Sequence, residues 1–168
     1  MRDIKEFIKD FAIYFVIIVG VILTIKYVVS LEQVVGPSMQ PNYKSGDLLL
    51  LNKISYRFRN PRLFEVVVIS NDETKYMIKR IVGLPGDSIE YKDNKLYING
   101  EVTKEYFDTE GITNDFSLSE LEYDVIPDDY YFVMGDNREN SLDSRYYGLI
   151  KKDQIVGKVQ FRLWPIFR

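Results

Sequence analysis

The feature that most constrains this chain is an apolar run near its N-terminus, residues 11–29, in which Lys26 is the only charged residue. As a helix, these roughly 19 residues would extend about 28 Å, enough to cross a hydrocarbon layer about 30 Å thick. The remaining chain is too short to surround a helix that is apolar on every side, and no small-residue cleavage site of an export signal follows the run. We therefore expect an uncleaved, single-pass membrane anchor.

The distribution of basic residues predicts the orientation of this anchor. Arg2, Lys5 and Lys9 precede the run, whereas few basic residues follow it closely. Because Lys and Arg flanking a span favour the cytoplasmic side, we expect a cell-membrane protein whose N-terminus is cytoplasmic. Residues 1–10 would form a short cytoplasmic tail, residues 11–29 the transmembrane anchor, and residues 30–168 a domain on the extracytoplasmic side.

Beyond the anchor the helical pattern gives way to short runs of β-branched and apolar residues separated by turn residues. Asp93-Asn94 and Asn99-Gly100 are two such turn signals. Strands this short and closely spaced predict a mainly β domain, an antiparallel sheet or barrel-like structure. The predicted strands cover residues 48–51, 65–70, 76–82, 88–91, 95–98, 130–134 and 155–161.

An acidic segment, residues 101–129, interrupts this pattern. It contains ten acidic residues and one basic residue, Lys104, so its charge is −9 while that of the whole chain is −3. We expect so polar a segment to be a surface insert, peripheral to the rest of the domain. The remaining residues carry +6, which is compatible with an anionic membrane surface.

The chain has no cysteine and no histidine. Disulfides, thiol nucleophiles, Ser-His-Asp triads, Cys-His dyads and the common zinc sites are thereby excluded. Hydrolytic chemistry would have to use Ser, Thr, Lys, Tyr or carboxylates. We expect neither a metal nor an organic cofactor.

Three segments contain candidate chemistry, although each alone has an ordinary structural interpretation. Residues 36–41, Gly-Pro-Ser-Met-Gln-Pro, form a turn in which two prolines restrict the backbone. In the strand 76–82, Lys79 and Arg80 point to opposite faces, and a desolvated lysine can act as a base whereas an arginine stays charged. Residues 135–148 are dense in hydrogen-bonding side chains.

Together these segments resemble the type I signal peptidases, which are membrane-anchored serine proteases with a Ser-Lys dyad. The resemblance covers roughly residues 10–160 and includes four motifs in the family's order after the anchor. They are Ser-Met-x-Pro at 38–41, Gly-Asp before an apolar strand at 46–47, Lys-Arg-x-x-Gly-Leu-Pro-Gly-Asp at 79–87, and Gly-Asp-Asn-Arg-x-x-Ser-x-Asp-Ser-Arg at 135–145.

The resemblance implies a role for five residues. Ser38 would be the nucleophile and Lys79 the general base. Ser141 would hold the lysine amine, while Asp143 and Arg145 would brace the loop that supports the dyad. Two positions depart from the family's pattern: some members carry an oxyanion-binding serine where this chain has Gly36, and Glu65 replaces an aspartate.

The resemblance also implies a substrate, a signal-peptide-bearing preprotein cut after small residues at positions −1 and −3. We expect Gly36, Met39, Met77 and Ile78 to line its binding site. The other partner would be the lipid bilayer. We expect no nucleic-acid partner, and the sequence indicates no particular oligomeric state.

Three alternatives remain at this point. A self-cleaving Ser-Lys protease of the SOS-repressor type shares the chemistry, but those proteins lack an anchor such as residues 11–29. An inactive, anchored β-domain could bind exported chains without cutting them. A structural cell-surface protein would leave the polar density at residues 135–148 without a purpose.

Overall fold

The computed structural model describes residues 4–71 and 74–165, and it consists of an N-terminal helix followed by a mainly β body. This architecture confirms the predicted fold class. The helices are α1 (Ile4–Tyr27), α2 (Ser55–Phe58) and α3 (Ser144–Tyr147), with 3₁₀ turns at Leu118–Leu121 and Lys152–Gln154. The strands are β1 (Val29–Gln33), β2 (Leu48–Asn52), β3 (Val66–Asn71), β4 (Thr74–Gly83), β5 (Ile89–Lys92), β6 (Lys95–Ile98), β7 (Glu101–Thr103), β8 (Phe116–Ser117), β9 (Tyr130–Met134), β10 (Ile150–Lys151) and β11 (Ile155–Trp164).

Helix α1 contains most of the predicted anchor but not with the predicted bounds. It already includes Ile4, the first described residue, because residues 4–10 contain no glycine or proline that would interrupt it. It ends at Tyr27 because Val29 is already paired in β1. None of its residues is buried, and it is the single helix in the described ranges that is long and apolar enough to cross a membrane. Residues 1–3 of the predicted tail and residues 166–168 of the predicted domain lie outside the described residues.

The strands form two antiparallel sheets. The larger has seven strands in the order β1-β2-β11-β3-β4-β9-β10, and the smaller has four in the order β7-β6-β5-β8. All seven predicted strands are present within these sheets. Strands β7, β8 and β10 were not predicted, because they have only two or three residues, and β1 was not predicted because its first residue, Val29, was assigned to the anchor.

Strand β4 is paired unequally on its two sides. It pairs with β3 from Thr74 to Arg80, in a register that places Lys79 opposite Val67. Its pairing with β9 begins only at Arg80, which lies opposite Met134. In the described sheet, the first half of β4 therefore has an edge without a strand partner, directly before and including Lys79.

The hydrophobic core holds the two sheets together. Residues of β4, β5 and β9 meet residues of the 101–129 segment in one cluster, which includes Val82, Tyr91 and Phe132. A second cluster packs β2 and β3 against the loop after β1 and contains Met39. Because Met39 is only 1% exposed, the residue that follows Ser38 anchors that loop in the core.

Glu65, directly before β3, connects the start of that strand to α2, to the loop after α2 and to β11. Its carboxylate accepts hydrogen bonds from Arg59, Tyr56 and Lys158, and from the N–H of Arg62. Burial alone would raise the pKa of Glu65, but the bonds from Arg59 and Lys158 lower it to about 2. The longer side chain in place of the family's aspartate thus has a structural role.

The prediction that residues 101–129 form a peripheral insert is wrong. Phe116, Leu118 and Ile126 are buried in the core between the two sheets. The segment is polar on average, yet its apolar residues are spaced so that they face inward while most carboxylates face water. One carboxylate, that of Glu105, points inward and is paired with Arg138.

Candidate active site

Ser38 lies in a tight turn between β1 and β2. The Gln40 N–H donates to the Pro37 carbonyl (2.9 Å) and the Tyr43 N–H to the Met39 carbonyl (2.8 Å). Gly36 has φ +89°, a conformation that residues with a side chain rarely adopt, so the sequence Gly-Pro-Ser permits this turn. Within the part of the chain that the structure describes, the Ser38 N–H donates no hydrogen bond and is therefore available to a ligand.

Lys79 lies on β4 and is almost completely buried, with 3% of its surface exposed. No ion pair reaches its amine within residues 4–71 and 74–165. Burial lowers the pKa of Lys79 to about 8, although the nearby carboxylates of Asp143 and Asp136 oppose this shift and the Arg145 guanidinium assists it. Lys79 therefore has the property of a base, because an appreciable fraction of it is neutral near neutral pH.

A small groove of about 130 Å³ brings Ser38 and Lys79 together. One wall is formed by the end of β1 and the Ser38 turn, and the other by the partnerless edge of β4. Three of the predicted substrate-binding residues, Met39, Met77 and Ile78, line this groove, and Gly36 does not. The lining consists of Glu32, Gln33, Val34, Val35, Ser38, Met39, Val68, Tyr76, Met77, Ile78 and Lys79.

The loop after β9 lies directly behind the Ser38 turn. The Asn137 N–H donates to the Ser38 carbonyl at 3.0 Å. At Gly135 a side chain would not fit, because a Cβ there would lie 2.5 Å from the same carbonyl oxygen and in contact with Ser141. The close approach at Gly135 therefore places Ser141 beside the Ser38 backbone.

The predicted supporting residues brace this loop. Asp143 accepts from the Gly135 N–H (2.9 Å), and the Arg145 guanidinium donates two hydrogen bonds to the Asp143 carboxylate at 2.8 and 2.9 Å. The Ser141 hydroxyl is buried and has no hydrogen-bond partner among the described residues. No hydrogen bond joins it to the Lys79 amine, so the holding of that amine by Ser141 stays a prediction.

A second buried ion pair, which was not assigned a role from the sequence, fixes the start of the same loop. Arg80 is on the face of β4 opposite to Lys79 and donates two hydrogen bonds, 2.8 and 2.6 Å, to the Asp136 carboxylate. The Phe107 ring lies 3.9 Å from the Arg80 guanidinium carbon, and Asn42 also donates to Asp136 (2.9 Å). Arg80 and Asp136 both belong to the motifs at 79–87 and 135–145. Their membership in these motifs is the sequence signal that could have identified them.

A third buried cation, Arg138, ties the loop to the acidic segment. Its guanidinium donates to both carboxylate oxygens of Glu105, to the hydroxyls of Tyr91 and Thr113, and to the Gly135 carbonyl. We call this group of five residues the Arg138 clamp. Nothing in the sequence pointed to Glu105, because it belongs to no motif and lies 33 residues before its partner.

Comparison with known proteins gives a consistent result. The family described as signal peptidase, peptidase S26, matches residues 4–164 of this chain. Signal peptidase IB of Staphylococcus aureus (strain COL) is 38% identical over 179 residues, which cover 98% of this chain and 91% of the relative. Signal peptidase I of Bacillus caldolyticus is 41% identical over 157 residues, 88% of this chain and 86% of the relative.

A solved structure is also similar. The crystal structure of a signal peptidase I from Enterococcus faecalis V583 superposes with a TM-score of 0.54 at 34% sequence identity. The match covers 60% of this chain and 97% of the other.

The Arg138 clamp generates a stability prediction. Glu105→Ala leaves a nearly inaccessible guanidinium without its charge partner, a loss that costs about 3 kcal/mol when a buried pair is broken from one side. We expect the free energy of unfolding in urea, measured in detergent, to fall by about that amount. The matched control is Glu101→Ala, which removes an exposed carboxylate from β7 and should change stability by less than about 0.5 kcal/mol. Equal effects of the two substitutions would show that the clamp is not a stabilising contact.

Proposed function

Because the chain belongs to the signal peptidase family, peptidase S26, we propose that it is a membrane-anchored serine endopeptidase that removes signal peptides from exported preproteins with a Ser38–Lys79 dyad. The observation that carries this proposal is the shared groove. A hydroxyl and a buried lysine whose pKa is lowered to about 8 line the same 130 Å³ space.

The proposed reaction begins with neutral Lys79 accepting the Ser38 proton. The Ser38 oxygen attacks the carbonyl carbon of the scissile peptide bond, and the Ser38 N–H, which has no acceptor among the described residues, stabilises the resulting oxyanion. Protonated Lys79 then gives its proton to the leaving amine, and an acyl-enzyme ester remains on Ser38. Lys79 next deprotonates a water molecule, which hydrolyses the ester and restores both side chains. No step requires a metal or an organic cofactor.

The loop behind Ser38 would act by positioning. Arg80 holds Asp136, the residue before Asn137, and the Asn137 N–H holds the Ser38 carbonyl. Asp143 and Arg145 hold the other end of the loop. In this proposal Ser141 accepts a hydrogen bond from the Lys79 amine during the reaction. That bond would satisfy a hydroxyl that is otherwise buried without a partner.

Substrate binding follows from the partnerless edge of β4. We propose that the segment before the cleavage site adds to this edge as a β-strand, opposite the end of β1. Alternate side chains of that strand, those at −1 and −3, then point into the groove formed in part by Met39, Met77 and Ile78. A space of about 130 Å³ suits side chains as small as that of alanine.

The proposed location is the cell membrane, with α1 as the single span. Under the positive-inside rule the N-terminal tail is cytoplasmic and the β body, the catalytic domain, is extracytoplasmic. The substrates are membrane-inserted preproteins, so the groove and the signal peptide would meet at one face of the bilayer.

Substitution of each member tests the Ser38–Lys79 dyad. Ser38→Ala and Lys79→Met should each abolish cleavage of a secretory precursor while leaving circular dichroism and thermal unfolding nearly unchanged, because neither change removes much buried volume. Lys79→Arg should also be inactive, since a guanidinium does not release its proton. Lys95→Met, the same substitution on the exposed side of β6, is the control and should retain full activity. If both purified dyad variants cleaved normally, the mechanism would be wrong. If the unaltered chain bound the precursor without cleaving it, an anchored binding domain would be favoured instead.

The pH dependence of kcat/KM tests the same mechanism independently. The free enzyme's base must be neutral, and burial lowers the pKa of Lys79 to about 8. Activity should therefore be low where Lys79 is protonated, rise as the pH increases through about 8, and level off above it. A metal chelator should leave the curve unchanged. A curve that falls with increasing pH in this range would contradict a lysine base.

A further prediction concerns the substrate. Replacing alanine at −1 of a precursor by phenylalanine should block cleavage, because the shallow groove cannot accept a large ring without displacing core side chains. The same replacement at −2, which faces solvent in the strand-addition geometry, is the matched control and should be tolerated. Initial cleavage rates of the three precursors give the comparison. Equal rates for alanine and phenylalanine at −1 would overturn the strand-addition geometry.

A further inference from the structure

The turn that follows β2 lies beside the point where α1 ends. The Lys53 N–H donates a 2.9 Å hydrogen bond to the Val28 carbonyl, and the pairing of β1 with β2 begins with Val29 opposite Asn52. The Asn52 side chain then accepts two backbone N–H bonds that turn the chain into α2. The fold therefore fixes α2 next to the exit of α1, although the two are more than 25 residues apart in sequence.

The surface around this exit carries unpaired positive charge. Lys26 is in the last turn of α1, Lys53 is half-buried and Arg57 is exposed on α2. Over the described ranges, 4–71 and 74–165, none of these three cations forms an ion pair with a carboxylate. Each is therefore available to an external anion.

Phe58 adds an apolar contact at the same place. It ends α2, directly after Arg57, and 83% of its surface is exposed. An exposed aromatic ring next to basic side chains is typical of segments that lie at the boundary between headgroups and acyl chains. We call Lys26, Lys53, Arg57 and Phe58 the exit patch.

Acidic residues near the exit patch do not cancel its charge. A neighbouring groove of about 780 Å³ is lined by Lys53, Tyr56 and Arg57 and also by residues from two other parts of the chain. Those residues include three aspartates and two lysines, and so they bring one net negative charge against three cations in the patch. The charged residues from these parts are Asp128, Asp129, Lys151, Lys152 and Asp153.

We propose that the exit patch docks on the anionic headgroup surface of the bilayer that α1 crosses, with the Phe58 ring at headgroup level. This inference rests on the proposed membrane span of α1. An anionic lipid surface strengthens the association of each nearby cation about fivefold. The helix and the patch together make two contacts with the membrane, which fix the tilt of β1.

The two contacts have a consequence for the groove. Strand β1 leads from the α1 exit to Glu32 and Gln33, which line the groove about 17 Å away along the strand. A body joined to the membrane by α1 alone would pivot at Val28, whereas a docked patch holds the groove at one height above the bilayer. A signal peptide anchored in the same bilayer would then present its cleavage site at a matching height.

The absence of cysteine allows a direct test with single fluorescent labels. We would attach a nitrobenzoxadiazole group at three positions of the full chain, one variant each: Phe58→Cys in the patch, Val16→Cys in the middle of α1, and Val102→Cys, a 64% exposed control on β7. The proteins are reconstituted in vesicles of phosphatidylcholine with or without phosphatidylglycerol. Quenching by iodide in water and by a spin-labelled lipid reports where each label lies.

The expected result is specific for position and lipid. The label at 58 should be quenched by the lipid and protected from iodide when phosphatidylglycerol is present, and the label at 102 should behave oppositely. In the Phe58→Cys background, Lys53→Gln with Arg57→Gln should weaken docking about 25-fold, about fivefold for each lost cation. Lys95→Gln with Lys92→Gln, two substitutions in the remote β5–β6 hairpin, should have no effect.

Different failures are distinguishable. If the label at 58 showed the same quenching by iodide and by the spin-labelled lipid as the label at 102, while the label at 16 was in lipid, the docking would be overturned and the membrane span would stand. Equal protection at 58 with and without phosphatidylglycerol would overturn the recognition of anionic headgroups. A label at 16 exposed to iodide would overturn the membrane span itself, and with it this inference.

Discussion

The structure depends on the burial of two consecutive cations in one strand. Lys79 and Arg80 lie on opposite faces of β4, and both are nearly inaccessible to water. Arg80 is compensated by the Asp136 carboxylate, with which it forms two hydrogen bonds that fix both side chains. Lys79 has no such partner among the described residues, and its buried amine is consequently easier to deprotonate. Because successive side chains of a β-strand point to opposite faces, two neighbouring residues differ in their roles: Arg80 positions the loop, and Lys79 has the lowered pKa.

The consequences of that pair extend to the candidate nucleophile. Asp136 is followed by Asn137, whose N–H holds the carbonyl of Ser38, so the ion pair on one face of β4 is connected to the Ser38 backbone. The acidic segment reinforces this arrangement through the Phe107 ring over Arg80 and through the Arg138 clamp. A segment with a charge of −9 is therefore part of the framework of the site. One of its carboxylates, that of Glu105, compensates the buried guanidinium of Arg138, which would otherwise be costly to desolvate.

Local patterns predicted the long elements and failed where structure depends on distant partners. The apolar alternation of residues 76–82 and 130–134 identified β4 and β9, whereas β8 and β10 have two residues each and exist only because a neighbouring strand pairs with them. The motif order likewise pointed to Ser38 and Lys79, which the fold places along one groove. It could not reveal Glu105 or Phe107, because a charge or ring that compensates a buried arginine needs no fixed spacing from it. The average polarity of residues 101–129 also concealed inward-facing positions such as Phe116, because a few buried apolar residues change the average of a long acidic segment very little.

The arrangement at the exit of α1 shows why counting basic residues only within a short stretch of sequence beside a span can miss cations that the fold brings there. The positive-inside rule concerns cations within about 15–20 residues of a span, and by that measure the stretch after α1 is nearly free of basic residues. The pairing of β1 with β2 returns the chain to the exit at Lys53, beyond that window, and α2 then adds Arg57 to the same surface. Under the proposed orientation, the chain would carry this basic surface on the side of the bilayer opposite to its first residues. In the proposed orientation the late position of these cations in the sequence would remove the conflict, because they lie beside the end of α1 only where β1 pairs with β2.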